Sequence, residues 1–208
     1  MIQLSKKRYY LLVFLLFLSV LYGFEKHRDV SKQQDYLNPQ LMELVHSFQN
    51  EAYLTTRILH RLINENQIPY AQWKQIRRGF EVMEHSSYEI EKMGRAIYPR
   101  HAKGLENVTT NTSSLITSNL EYIEENFLEE DLDRTDIITF PPEALSKIEL
   151  IYKTTAEWNE ISNQYTVSTA IVQRTSWVKM MKELQEPSTV FQHQDSLIDF
   201  RSHLDSSL

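Results

Sequence analysis

The side chains of this chain that could do chemistry are seven histidines and 28 carboxylates, with no cysteine among them. Without cysteine there is no disulfide framework, thiolate metal site or cysteine nucleophile. His46 and His60 stand about two heptads apart, too far along one helix to share an ion. Glu81 and His85 are four apart, the spacing of a pair on a helix surface. No HExxH zinc signature, GxSxG nucleophile elbow or phosphate-cradling glycine loop occurs. Asp131 and Asp133 mimic the start of a calcium loop. However, no glycine holds its sharp-turn position, and Pro142 falls where the bidentate glutamate belongs. The sequence predicts no catalytic residue, no metal site and no cofactor.

Charge clusters are the remaining candidates. Glu129, Glu130, Asp131, Asp133 and Asp136 form an acidic stretch, and Lys74, Arg77 and Arg78 a basic turn. A second basic set, Arg100, His101 and Lys103, is a candidate for contact with anionic headgroups or an acidic envelope polymer. The net charge of −6 disfavours nucleic acid as a partner.

The elements that must position these groups read as helices. Four glycines and six prolines are few for 208 residues and argue against a turn-rich β fold. Asn38 and Pro39 read as the cap and first position of helix one. Its stripe is Leu41, Val45, Phe48, Ala52, Thr55, Leu59 and Leu62, in steps of four and three. Pro69 reopens the pattern after a break. The second stripe is Trp73, Ile76, Phe80, Met83, Ser87, Ile90, Gly94 and Ile97, stopped by Pro99. Helix three starts weakly through Thr109–Ser114 and firms up at Ile116, Leu120, Ile123 and Phe127. Pro141 and Pro142 open the fourth, with Ala144, Ile148, Ile151, Thr155, Trp158, Ser162, Tyr165, Thr169 and Val172. Its phase then slips to Trp177, Met181 and Leu184 before Pro187 ends it. The expected fold is all-α: an N-terminal transmembrane signal anchor followed by an antiparallel four-helix, coiled-coil-like bundle. The alternative is a longer helical hairpin that makes a homodimer through the same stripes.

The segment YYLLVFLLFLSVLYGF, Tyr9 to Phe24, carries no charge and directly follows Lys6, Lys7 and Arg8. Those three residues set the topology and place the later residues outside the cytoplasm. At 16 residues the run lies between a signal-peptide core and a full span. Small residues do not fall in the pattern a peptidase needs, so an uncleaved anchor is favoured over a removed signal peptide. The expected organisation is a basic cytoplasmic terminus (1–8), the anchor (9–24), a polar stalk (25–37), the bundle (38–187) and a tail (188–208). The tail could hold a short amphipathic helix through Phe191, Leu197, Ile198 and Leu204.

From this anchor, alternate turns acquire a height. The 64–69 turn and the acidic stretch are distal, and the Arg100–Lys103 turn is proximal. The acidic stretch and the Lys74–Arg78 turn are then expected to face each other. The functional expectation is non-enzymatic: a single-pass cell-membrane protein whose bundle binds or scaffolds other envelope proteins. The alternatives are a sensor domain acting through a partner, and a secreted helical protein if the signal is cleaved. A bacterial envelope setting would leave the sequons at Asn107 and Asn111 unused.

Overall fold

The computed structural model describes residues 6–129, 131–168 and 170–197. Within the first helix, side chains are described at 10, 13–19, 22 and from 36 onward. Five α-helices carry the fold: α1 (Lys6–Glu65), α2 (Tyr70–Ile97), α3 (Val108–Phe127), α4 (Pro142–Asn163) and α5 (Ser176–Leu197). Two three-residue strands, β1 (Gln67–Pro69) and β2 (Ile137–Thr139), pair antiparallel with Ile68 opposite Ile138. α1 packs between α2 and α4, α3 lies on the far side of α2, and α5 closes the ring between α3 and α4.

The expected stripes are the core. Leu41, Val45, Phe48, Ala52, Leu59 and Leu62 of α1 are buried, as are Trp73, Ile76, Phe80, Met83 and Ile90 of α2. Ile116, Leu120 and Ile123 meet Ile148, Ile151 and Trp158 in the same core. Phe48 and Phe80 sit against the Trp158 ring at centroid distances of 6.1 and 6.3 Å. Within the one chain described, these stripes fill one another. Thr169 and residues 198–208, with Ile198 and Leu204, lie outside the described residues.

Among the described residues the bundle has five α-helices rather than four. The expected continuous fourth helix ends at Asn163, and the chain crosses by way of a short 3-10 turn at Ile171–Gln173 before α5 starts. The phase slip before Trp177 falls where α5 begins, after this break. The run from Ser162 to Ser168 is rich in polar and β-branched residues that favour turns over helix. The break is also anchored: the Gln49 side-chain amide donates to the carbonyls of Ser162, at 2.6 Å, and Tyr165, at 2.9 Å. Two carbonyls at the end of α4 thereby gain partners. α5 then runs antiparallel to α4 and rises beside α3.

Two prolines do not act as boundaries. α1 passes through Pro39 and α5 through Pro187. Asn38 is not a cap; its Oδ1 accepts the Val172 N–H at 3.0 Å and fastens the 3-10 turn to α1. Pro39 is exposed, so water can satisfy the carbonyl that its missing N–H leaves free. At Pro187 the packing of Leu184, Ser188 and Phe191, all buried, outweighs a proline cost of about 3 kcal/mol. The 25–37 stalk is likewise helical, as part of α1. Its Glu, Lys, Arg and Gln residues form helix readily. The missing apolar stripe did not make the backbone irregular, and Leu37 at its end already packs against the core.

Candidate functional site

The paired strands put the 66–69 turn and the 131–140 loop at one end of the bundle, which is its distal end relative to Tyr9–Phe24. The Asn66 side chain donates to the Phe140 carbonyl at 3.2 Å and accepts its N–H at 3.3 Å. α2 has no side-chain cap at Pro69. Instead the Tyr70 N–H donates to the Asp136 carbonyl at 2.8 Å, and the Ala71 N–H to the Arg134 carbonyl at 3.1 Å. The loop is thus held by its backbone against the start of α2.

The acidic stretch and the Lys74–Arg78 turn share this end, but among the described residues they form no ion pair. Glu124, in the last turn of α3, takes that place. Its carboxylate accepts from Lys74, from Tyr70 Oη at 2.7 Å and from Trp73 Nε1 at 3.3 Å. Arg77 approaches it at 3.5 Å and also reaches Glu121 and Glu81. Burial pushes the Glu124 carboxyl up. The hydrogen bonds from Lys74 and Tyr70, with the two nearby cations, outweigh this and hold it below the usual range. Burial likewise pulls Lys74 down, but the bonds to Glu124 and Tyr70 leave it raised. Sequence reading missed Glu124, which is offset from the Leu120–Ile123 stripe by one position.

Around this hub lie two adjoining clefts on the outer surface of α1 and α2. One, of about 810 Å³, is lined by Glu51, Tyr70, Lys74, Arg78, Val82, Leu132 and Arg134 among others. The second, of about 530 Å³, includes Leu54, Arg57, Ile58, His60, Arg61 and Tyr152, and shares Gln75 with the first. Glu51 is the one carboxylate in either lining. His60 takes the Asn64 amide at 3.2 Å and rests against Tyr152, with ring centroids 5.7 Å apart. This surface presents guanidinium groups beside short apolar patches, a donor set suited to carboxylates on a polypeptide. No known protein family, curated protein or solved structure matches the chain.

The other candidates fall elsewhere. Arg100, His101 and Lys103 are exposed in the turn between α2 and α3, with the His101 ring against Tyr98 at 5.9 Å. The Tyr98 hydroxyl donates to the Val172 carbonyl at 2.7 Å, which sets this turn level with Asn38. Along α1 that is about 21 Å above Phe24. Lys6, Lys7 and Arg8 begin α1, and their side chains lie outside the described residues, as does Glu130. Glu81 pairs with Arg77, at 3.7 Å, rather than with His85. Glu43 and His46, a Glu-x-x-His pair absent from the sequence reading, are both exposed on α1.

A buried cluster was also missed. Glu91 is fully buried one position past the Ile90 stripe. Its Oε2 accepts the Asn107 N–H at 2.8 Å and meets Arg95 Nη1 at 3.4 Å. Arg95 Nη2 donates to Asn107 Oδ1 at 2.9 Å. Glu91 Oε1 has no partner among the described residues. Burial pushes this carboxyl up, against the lowering effect of the Asn107 amide and Arg95. Asn107 is held in the left-handed region at φ 55°, and the threonine of its sequon, Thr109, is fully buried; Asn111 is exposed.

Proposed function

We propose that this chain is a single-pass membrane protein whose helical bundle stands outside the cytoplasm and binds or scaffolds other envelope proteins without catalysis. One observation carries the membrane part. The apolar run lies inside α1, and its described side chains from Val13 to Leu18 are 44–70 % exposed. Fully burying six such Val, Leu and Phe side chains is worth roughly 10 kcal/mol or more. That is comparable to the whole stability of an ordinary domain, so water is a poor surrounding for this helix. Among the described residues no helix is long and apolar enough to cross a membrane. The 16-residue run reaches a span only with Lys6, Lys7 and Arg8 extending along it to the interface.

The binding part is supported by the distal clefts, which gather cations on a chain of net charge −6. The unbroken α1 favours a second reading, a sensor in which occupancy of the clefts changes helix packing and a partner reads it through α1. The membrane reading is tested by fractionating cells that express the full chain. An integral anchor stays in the pellet at high salt and carbonate pH with residues 1–24 still attached. Recovery of a soluble protein beginning near Phe24 would leave the secreted alternative standing. Crosslinking in intact cells, followed by identification of captured proteins, tests the scaffold reading; no reproducible capture counts against it.

A further inference from the structure

Two sets of charges at the distal end form no ion pair among the described residues. Arg57, Arg61, Arg78 and Arg134 line the two clefts and form no ion pair with a described carboxylate. Arg57 rests over the Tyr53 ring at 5.6 Å instead. Beside them, Glu129, Asp131, Asp133 and Asp136 are exposed and pair with no described cation. The Asp136 carboxylate accepts the Asp133 backbone N–H, at 2.7 Å. Among the described residues the two sets carry complementary charge with no ion pair between them, although Leu132 and Arg134 of the loop line one cleft. The cause is geometric, because the β1–β2 ladder and the bonds from Tyr70 and Ala71 hold the loop in place.

We propose that the basic clefts dock the acidic loop of a second copy of this chain. Both patches lie at the same end of the bundle. A two-fold axis parallel to α1 therefore sets the clefts of each copy against the loop of the other, and the contact closes on itself. The clefts also expose parts of Leu54, Ile58, Val82 and Leu132. A packed polypeptide covers such groups, whereas a hydrated polyanion does not. The core stripes stay closed within each copy. The inference needs only the distal end of the bundle and stands apart from the membrane reading.

The test measures the mass of the full chain in detergent micelles by sedimentation, across protein and salt concentration. A dimer is expected, with a dissociation constant that rises about tenfold or more as salt screens the contact. Arg57→Glu with Arg78→Glu, and separately Asp131→Lys with Asp133→Lys, should each weaken self-association by at least about tenfold. All four positions are exposed, and circular dichroism checks that each variant keeps its helices. Mixed in equal amounts, the two variants should pair with each other: the altered clefts of the first meet the altered loop of the second with the charges exchanged, and the other contact is the native one. Either variant alone suffices for the first comparison. A monomer under all conditions overturns the proposal. So does a dimer indifferent to both charge changes, or a mixture in which the variants fail to pair. A monomer that binds polyglutamate or polyphosphate through the clefts assigns them to a foreign polyanion and also overturns it.

Discussion

Gly79 of α2 lies so close to Thr55 of α1 that a β-carbon on it would overlap the Thr55 hydroxyl, with Glu51 Oε2 at 3.3 Å. The two helices approach closely here, beside Phe80 and the Trp158 ring. Two effects compete in Gly79→Ala. Alanine is favoured in a helix by about 1 kcal/mol, but overpacking costs typically about 1–3 kcal/mol. Because the overlap is with a buried side chain near its backbone, the clash wins. Gly79→Ala should lower stability by about 1–2 kcal/mol. Adding Thr55→Ala should recover most of it, a coupling visible in a double-mutant cycle of denaturant midpoints. Independent, additive effects would contradict this contact.

Glu91 gives a pH-dependent prediction. Its folded carboxyl is raised above the ordinary range by burial. The folded state therefore holds its proton more tightly than the unfolded state, and stability is gained as pH falls through the folded value. Glu91→Gln removes the buried charge and should raise stability at neutral pH by about 1 kcal/mol. The gain should shrink as pH is lowered towards 4.5, the ordinary value for the group. A gain that does not change between pH 7 and that value would point to a cause other than the charge.

Glu124 should behave with the opposite sign. Burial opposes its ionisation, but Lys74, Tyr70 and Arg77 win and lower the folded carboxyl. Its contribution is present above the ordinary value of 4.5 and is lost as pH falls through the lower folded value. Glu124→Gln should cost about 2 kcal/mol at neutral pH, and the difference from the parent chain should close in acid. Melting curves recorded from pH 7 to pH 3 separate the two carboxyls by the sign of their effects.

Lys147 and Asp195 form a buried ion pair between α4 and α5, with the Lys147 side chain 3 % exposed and Asp195 11 %. Asn119 Nδ2 also donates to Asp195 Oδ1, at 2.9 Å. Lys147→Met should cost about 3 kcal/mol or more, because it strands a carboxylate in the interior. Lys147→Met together with Asp195→Leu should be much milder, since the pair is then replaced by apolar packing. Equal losses in the single and double variants would show that the pair is worth more than its desolvation.

Ser188 carries a similar role by hydrogen bonds. It accepts from Trp158 Nε1 at 3.1 Å and donates to the Leu184 carbonyl at 2.6 Å. Ser188→Ala leaves the indole N–H buried without that partner and should lower stability by about 1–3 kcal/mol. Fluorescence of the Trp158 environment should change with it. An unchanged unfolding midpoint would mean that another group satisfies the indole.

The core was legible because burial on a helix repeats in steps of three and four, so Leu41 to Leu62 and Trp73 to Ile90 declared their faces. The break after Asn163 was not legible: the stripe could be followed on through Tyr165, Thr169 and Val172, its slip came only before Trp177 where α5 begins, and the turn depends on Gln49 from a distant part of α1. Pro39 and Pro187 misled because proline marks a helix end only when nearby packing or solvent cannot offset its missing N–H. Glu91 and Glu124 were illegible for a different reason. Each lies one position beyond a stripe, and only the partners brought there by folding turn an edge residue into a hub, buried at Glu91 and half-buried at Glu124. The distal pairing of Ile68 with Ile138 had too few residues to show a strand period.

α1 has a mechanical consequence. It is at once the carrier of the apolar run and a central strut of the core, with helix unbroken from Lys6 to Glu65. From Phe24 to Glu65 it is a lever of about 62 Å. If it is seated in a bilayer, the body turns with it, apart from any bend where Pro39 leaves one backbone hydrogen bond unmade. A tilt of about 10° at the base then sweeps the distal clefts sideways by about 11 Å. In that setting, where those clefts can reach would be set by how residues 6–24 lean.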